Sequence, residues 1–154
     1  MAASCGASAM SATGPDPMRP GFLPGTEGQV IVTVTEDMLA RFEELGLVHP
    51  VYSTWSMVRH MELASRRVIL PYLEPDEEAV GYSVSVTHLA PTATGSVVTV
   101  RARLLEIDGN KIICATTAHN GQATIGEGTT VQMIVPAETL RARFKAIGAR
   151  RPPE

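Results

Sequence analysis

The second half of the chain alternates hydrophobic and polar residues in four consecutive segments, which is the spacing expected of β-strands. These predicted strands cover residues 80–90, 96–107, 111–119 and 122–135. The motif DGN at 108–110 and the NG pair at 120–121 separate the last three segments, and both are typical of tight hairpin turns. Four strands joined mainly by short turns predict an antiparallel sheet.

The first half of the chain begins with another alternating segment, QVIVTVT at 29–35, which predicts a strand. The following TEDMLARFEELG predicts a short helix, because Thr35 can cap it and Gly46 can end it. The next stretch, LVHPVYS, is predicted to be irregular, since Pro50 disfavours a helical conformation in the residue before it.

The longest helical pattern is STWSMVRHMELASRRVIL, which Pro71 brings to an end. Its apolar and small residues recur at three- and four-residue spacing, at Val58, Met61, Ala64, Ser65 and Val68. A last helix is predicted for PAETLRARFKAI, with Pro136 near its first turn. The whole order predicts an α+β fold in which one long helix covers an antiparallel sheet.

The chain length of 154 residues and the hydrophobic content of 44% fit a single globular domain. We expect that domain at 23–148, between an N-terminal disordered tail at 1–22, rich in Ala, Ser, Gly and Pro, and a flexible C-terminal tail at 149–154. The net charge of −3 gives no argument for nucleic-acid binding. No apolar run reaches the roughly 20 residues of a membrane span, and no secretory signal is recognisable.

The two cysteines, Cys5 and Cys114, are far apart and form no motif with zinc-ligand spacing, so we expect no metal and a cytoplasmic location. No bound cofactor is expected either. Motifs that bind dinucleotides or nucleotide phosphates, and the nucleophile elbow of α/β-hydrolases, are absent from the sequence. We interpret Cys114 as a small core residue of a strand.

Candidate chemistry is concentrated in the long helix and the strand after it. In that strand Tyr82, Val84, Val86 and His88 share one face, so a histidine ends an apolar row. A lone histidine there is either a core residue or part of a site, and Glu62 is either a surface carboxylate or a member of the same site. Thr54 is explained equally well as a helix N-cap.

The other histidines receive no functional role from the sequence. We expect His49 in a loop, His60 on the helix surface and His119 at a strand end.

Taken together, the segments STWSMVRHMELA, PYLEP at 71–75 and VTHLAPT at 86–92 resemble the fluoroacetyl-CoA thioesterase-like family of hotdog-fold acyl-CoA thioesterases. The family pattern places a threonine eight residues before a helical glutamate and a histidine 26 residues after it, as Thr54, Glu62 and His88 are placed here. The resemblance covers roughly residues 28–145 and includes Gly81.

This resemblance implies a curved antiparallel sheet around one central helix, a homodimer and an acyl-CoA substrate. It implies catalytic roles for Thr54, Glu62 and His88, and a substrate-binding role for the backbone at Gly81. Four arginines are candidates for binding the coenzyme A phosphates, or equally a solvated basic face: Arg101, Arg103, Arg141 and Arg143.

One segment departs from the family pattern. LGLVHPVYS lacks the phenylalanines that line the acyl pocket of the fluoroacetyl-specific member, so a preference for fluorinated acyl groups is not implied. Two alternatives to hydrolysis stay open, namely a hydratase-type enzyme on the same fold and a non-catalytic acyl-CoA-binding protein.

Overall fold

The computed structural model describes residues 18–148, which form seven β-strands, two α-helices and two short 3-10 helices. The elements are β1 (Glu27–Thr33), a 3-10 helix (Glu36–Met38), β2 (Leu39–Phe42), β3 (Gly46–Tyr52), α1 (Thr54–Ile69), a 3-10 helix (Leu70–Tyr72), β4 (Glu77–His88), β5 (Val97–Asp108), β6 (Lys111–His119), β7 (Thr124–Pro136) and α2 (Ala137–Gly148).

Five strands form one antiparallel sheet in the order β1-β5-β6-β7-β4. The alternation in β5 explains its orientation, because Val98, Val100, Ala102 and Leu104 are all at most 1% exposed, whereas the residues between them are less buried. Gly109 has a φ of +60° and forms the turn between β5 and β6, as the DGN motif predicts. The four strands predicted for the second half of the chain are therefore confirmed.

Helix α1 contacts all five strands of the sheet and forms the centre of the core. Its buried face consists mainly of Met57, Met61, Ala64 and Val68, none more than 1% exposed. The helix crosses β1 so closely that a Cβ at Gly28 would lie 2.7 Å from the Ala64 carbonyl oxygen. Only glycine allows this approach, which fixes the distance between the helix and the sheet.

The predicted helix at 35–46 and the irregular segment after it are wrong. Beyond the single 3-10 turn, the chain forms the β2–β3 hairpin, with Gly46 at a φ of +70°. The apolar residues that a helix here would align, such as Phe42, are exposed in the fold, and tertiary burial is the main source of helix stability. In the hairpin, Leu39 pairs with Tyr52 across the strands and both side chains are buried.

The predicted domain boundary at residue 22 is too late. Met18 and Phe22 are 8% and 6% exposed and belong to the hydrophobic core. The Phe22 ring lies 5.0 Å from the ring of Tyr72, and the Arg19 N–H donates to the Tyr72 carbonyl at 2.8 Å. The remainder of the predicted N-terminal tail, 1–17, and the predicted C-terminal tail lie outside the described residues.

The described helices include none that is long and apolar enough to span a membrane. Between Met18 and Gly148, no cluster of three or more His, Cys, Asp or Glu side chains is arranged to hold a metal ion.

Candidate active site

Thr54 and His88 meet where helix α1 begins and strand β4 ends. The Thr54 Oγ1 lies 2.9 Å from His88 Nδ1. Thr54 is the first helical residue, and the N-cap is Ser53, whose hydroxyl oxygen accepts from the Ser56 N–H at 3.1 Å. Because Ser53 caps the helix, the Thr54 hydroxyl is left to interact with His88.

The hydrogen bonds of His88 define its tautomer. Its Nε2 lies 3.0 Å from the Ala90 carbonyl oxygen, which can only accept a hydrogen bond. We therefore assign the proton of the neutral imidazole to Nε2, so that Nδ1 accepts from the Thr54 hydroxyl. A hydroxyl, a base and a group that orients the base thus follow one another, as nucleophilic catalysis requires.

Glu62 lies apart from this pair within one chain. Eight residues of helix separate it from Thr54, which corresponds to about 12 Å along the axis. Its carboxylate instead lies against β4, where a Cβ at Gly81 would be 2.7 Å from Glu62 Oε1. The neighbouring Arg66 pairs with Glu78 at 3.1 Å. The structure therefore brings together Thr54 with His88, and Glu62 with Gly81, as two separate pairs.

A β-bulge between Gly81 and Ser83 decides which residues of β4 face the helix. Gly81 pairs with Gln132 and Val84 with Thr130, and both partners in β7 are buried at 1% exposure. Gly81 therefore joins the face that carries Val84, Val86 and His88. Tyr82 was predicted on that face, but it is 59% exposed and lies beneath the Lys111 amine, 4.9 Å from Nζ.

His60 is not on the helix surface as predicted, but 5% exposed in the core. Its Nδ1 lies 2.7 Å from the hydroxyl of Tyr52, which is fully buried. Burial, with a smaller effect of the nearby Arg59 charge, lowers the pKa of His60. Burial also raises the pKa of Tyr52. The three-residue spacing from Met57 would have placed His60 on the buried face.

A cavity of about 280 Å³ opens beside the Thr54–His88 pair. Its lining includes apolar side chains from β3 and from the loop after β4, at Val51, Leu89, Ala90 and Pro91. A larger groove of about 500 Å³ lies between Arg101 and His119 on the outer face of the sheet, but none of its lining residues belongs to either pair. The smaller cavity is therefore the candidate acyl site.

Cys114 has no part in this chemistry. It is 1% exposed inside β6, and burial raises the pKa of its thiol to about 11. The burial confirms its interpretation as a core residue, and a thiol with a raised pKa is a poor nucleophile near neutral pH.

A family model described as the fluoroacetyl-CoA-specific thioesterase matches residues 34–138. The chain belongs to this family. A fluoroacetyl-CoA thioesterase from Streptantibioticus cattleyicolor is 38% identical over 95 residues, which cover 62% of this chain and 68% of that protein.

Solved structures agree with the membership in the fluoroacetyl-CoA-specific thioesterase family. A Thermus thermophilus hypothetical protein, a thioesterase superfamily member, is 42% identical with a TM-score of 0.83, over 86% of this chain and 97% of that one. The fluoroacetyl-CoA thioesterase FlK is 30% identical with a TM-score of 0.76, over 86% and 99% of the two chains. The predicted α+β hotdog fold, an antiparallel sheet curled around one long helix, is confirmed.

The range matched to the fluoroacetyl-CoA-specific thioesterase family includes Thr54, Glu62, Gly81 and His88. The buried Tyr52–His60 pair lies in the same range, although the sequence pattern had assigned it no role.

Proposed function

We propose that this protein hydrolyses the thioester bond of a small or medium acyl-CoA, releasing a free acid and coenzyme A. The observation that carries the proposal is the hydrogen-bonded series of the Thr54 hydroxyl, the His88 imidazole and the Ala90 carbonyl. Membership in a family named for thioester hydrolysis supports the same chemistry.

In the proposed mechanism, Thr54 Oγ1 attacks the thioester carbonyl carbon while its proton passes to His88 Nδ1. Collapse of the tetrahedral intermediate breaks the carbon–sulfur bond, and the imidazolium returns the proton to the departing thiolate. Water then attacks the acyl-threonine ester with the same imidazole as base. This second step releases the acid and restores the Thr54 hydroxyl.

The first turn of α1 supplies donors for the oxyanion. The Ser56 N–H is bound by the Ser53 hydroxyl, and the Met57 N–H by the Ser53 carbonyl. The N–H groups of Thr54 and Trp55 precede the first intrahelical hydrogen bond and are suited to stabilise a developing negative charge. The Gly81 backbone is the second candidate for this role.

A homodimer is part of the proposal, because β4 is an edge strand of the sheet. Residues 81–85 are exposed in a single chain, and a 12-residue edge strand exposed in this way is suited to pair with a second copy. If the two β4 strands pair antiparallel around a two-fold axis at Ser85, the bulge before Ser83 brings Gly81 opposite the partner subunit's His88. Glu62 would then complete the partner's site as a base or as an alternative nucleophile.

Mixed dimers test this composite site. Glu62→Gln and His88→Ala homodimers should each keep only a small residual activity, whereas random mixing should restore about a quarter of wild-type activity, since half of the dimers then carry one intact site. Light scattering on each variant checks the dimer. If mixing restores no activity although heterodimers form, Glu62 and His88 do not act across the interface.

The cavity of about 280 Å³ beside Thr54 and His88 has room for a short acyl group. The S. cattleyicolor relative is named for a two-carbon fluoroacyl group, so acetyl-CoA and fluoroacetyl-CoA are the first substrates to test.

Release of the coenzyme A thiol from a panel of acyl-CoAs tests the activity itself. We expect acetyl- and propionyl-CoA to be hydrolysed faster than benzoyl- or decanoyl-CoA. Hydration of an unsaturated acyl-CoA without thiol release would instead support a hydratase, and binding without turnover would support an acyl-CoA-binding protein. We also place the enzyme in the cytoplasm, since its buried Cys114 is a free thiol, and cell fractionation tests this.

A further inference from the structure

The buried pair of Tyr52 and His60 lies directly behind the reactive pair. The rings of Tyr52 and His60 are stacked, with 2° between their planes and 5.9 Å between their centroids. The ring of Tyr52 also meets the ring of His88 edge-on, at 71° and 6.4 Å. Tyr52 therefore separates the buried histidine from the histidine that contacts Thr54.

The hydroxyl of Tyr52 is held by His60 alone among the described residues. Because Tyr52 is fully buried and its O–H has no other acceptor in residues 18–148, the phenol donates to His60 Nδ1 at 2.7 Å. A buried hydroxyl without a partner is costly, so this bond fixes the rotation of the tyrosine ring. The same bond requires His60 to be neutral with its proton on Nε2.

The backbone of Tyr52 is connected to the loop that orients His88. Its N–H donates to the Thr92 carbonyl at 2.8 Å, and the adjacent Val51 forms a bridge with Ala93. Two residues before Thr92, the Ala90 carbonyl accepts from His88 Nε2. Tyr52 therefore contacts His88 through its ring and holds, through its backbone, the loop that orients the imidazole.

We infer that Tyr52, held in place by His60, is a positioning residue that keeps the His88 imidazole aligned with the Thr54 hydroxyl. This inference rests on the proposed thioesterase function. Neither Tyr52 nor His60 exchanges a proton with the substrate, and both act through the orientation of His88. If the ring of Tyr52 is released, the His88 ring can turn away from Thr54. A base that is no longer aligned with the hydroxyl it must deprotonate strongly reduces turnover.

The variant that tests this inference is Tyr52→Phe, which keeps the ring and removes the hydrogen bond to His60. We expect kcat to fall about tenfold while KM changes little, because the alignment of the base matters for the chemical step. In the His88→Ala protein, Tyr52→Phe should cause no further loss of the residual kcat. If Tyr52→Phe only impaired folding, it would lower the activity of the wild-type and the His88→Ala proteins alike.

The matched control is Ser65→Ala, on the helix that carries His60. It also removes a buried hydroxyl, one that bonds the Met61 carbonyl at 3.0 Å and the Thr130 hydroxyl, away from His88. We expect a comparable loss of thermal stability and unchanged kcat. A similar fall in kcat for both variants would mean that the effect of Tyr52→Phe is one of stability only.

A readout independent of activity separates this inference from the proposed function. The chain has four histidines, so the ¹⁵N resonances of His88 can be assigned by their loss in His88→Ala. Wild-type protein should show His88 protonated at Nε2, and Tyr52→Phe should show a mixture of both tautomers. An unchanged tautomer together with unchanged kcat would overturn the inference. Absence of hydrolysis in the wild type, with the tautomer shift present, would overturn only the proposed function.

Discussion

Gly81→Ala gives a direct test of whether the Glu62 carboxylate takes part in hydrolysis. The added Cβ would lie 2.7 Å from Glu62 Oε1, whereas ordinary contact begins at 3.4 Å, so the carboxylate must retreat by about 0.7 Å. The obstacle is the end of a flexible side chain and not backbone. The substitution therefore displaces the carboxylate without displacing the helix.

The expected effect on stability is small and the expected effect on activity is large. A side chain forced off its preferred rotamer costs about 0.5–1.5 kcal/mol, while replacing glycine by alanine stabilises by about 0.4–1 kcal/mol through the unfolded state. These contributions nearly cancel. A displacement approaching 1 Å at a reacting group can lower the rate about a hundredfold, so we expect a 10- to 100-fold loss in kcat/KM.

The assay follows release of the coenzyme A thiol from acetyl-CoA, together with thermal unfolding of the same samples. Gly28→Ala is the contrasting variant, because its Cβ would meet the backbone of Ala64 and Val68 at 2.7 and 2.8 Å. Backbone cannot retreat as a side chain can, so this variant should lose about 1–3 kcal/mol of stability.

The reasoning on Gly81 also predicts the outcome in a second background. If Gly81→Ala acts through Glu62, it should cause little further loss in a Glu62→Gln protein. Wild-type hydrolysis by a folded, dimeric Gly81→Ala variant would refute a catalytic role for the carboxylate at its observed position. An equal loss in both backgrounds would point to the Gly81 backbone itself.

Three further predictions follow from the observed positions of single residues. Ser53→Ala should cost about 1 kcal/mol of stability, since Ser53 is the helix cap, whereas Thr54→Ala should be nearly neutral in unfolding and abolish thiol release; the opposite result would make Thr54 a structural residue. The pKa of His60 is lowered in the folded state, so acidification below about pH 6.5 protonates this histidine first in the unfolded chain. The free energy of unfolding should therefore fall as the pH drops, by at most about 1.4 kcal/mol per pH unit for this group. A His60→Leu variant whose stability has an identical pH profile would contradict this. Phe22→Ala should cost about 3 kcal/mol in denaturant unfolding, whereas deletion of residues 1–17 should leave the melting temperature nearly unchanged.

Local patterns alone determined the main elements of the fold and the family. Strict alternation between hairpin turns identified β5, β6 and β7, because strand orientation and turn geometry depend on neighbouring residues. The spacing of apolar residues identified α1 in the same way. The resemblance to the family implied a site shared by Thr54, Glu62 and His88, but not the hydrogen bond that connects Thr54 to His88.

Tertiary packing decided the features that depend on partners distant in the sequence. The β2–β3 hairpin forms because Leu39 and Tyr52 can both be buried there, which local helix signals do not reveal. The bulge before Ser83 depends on pairing with β7 and turns Gly81 towards Glu62. His60 is buried because the hydroxyl of Tyr52 satisfies it. Each of these outcomes depends on a contact between separate elements, so only the folded chain could specify it.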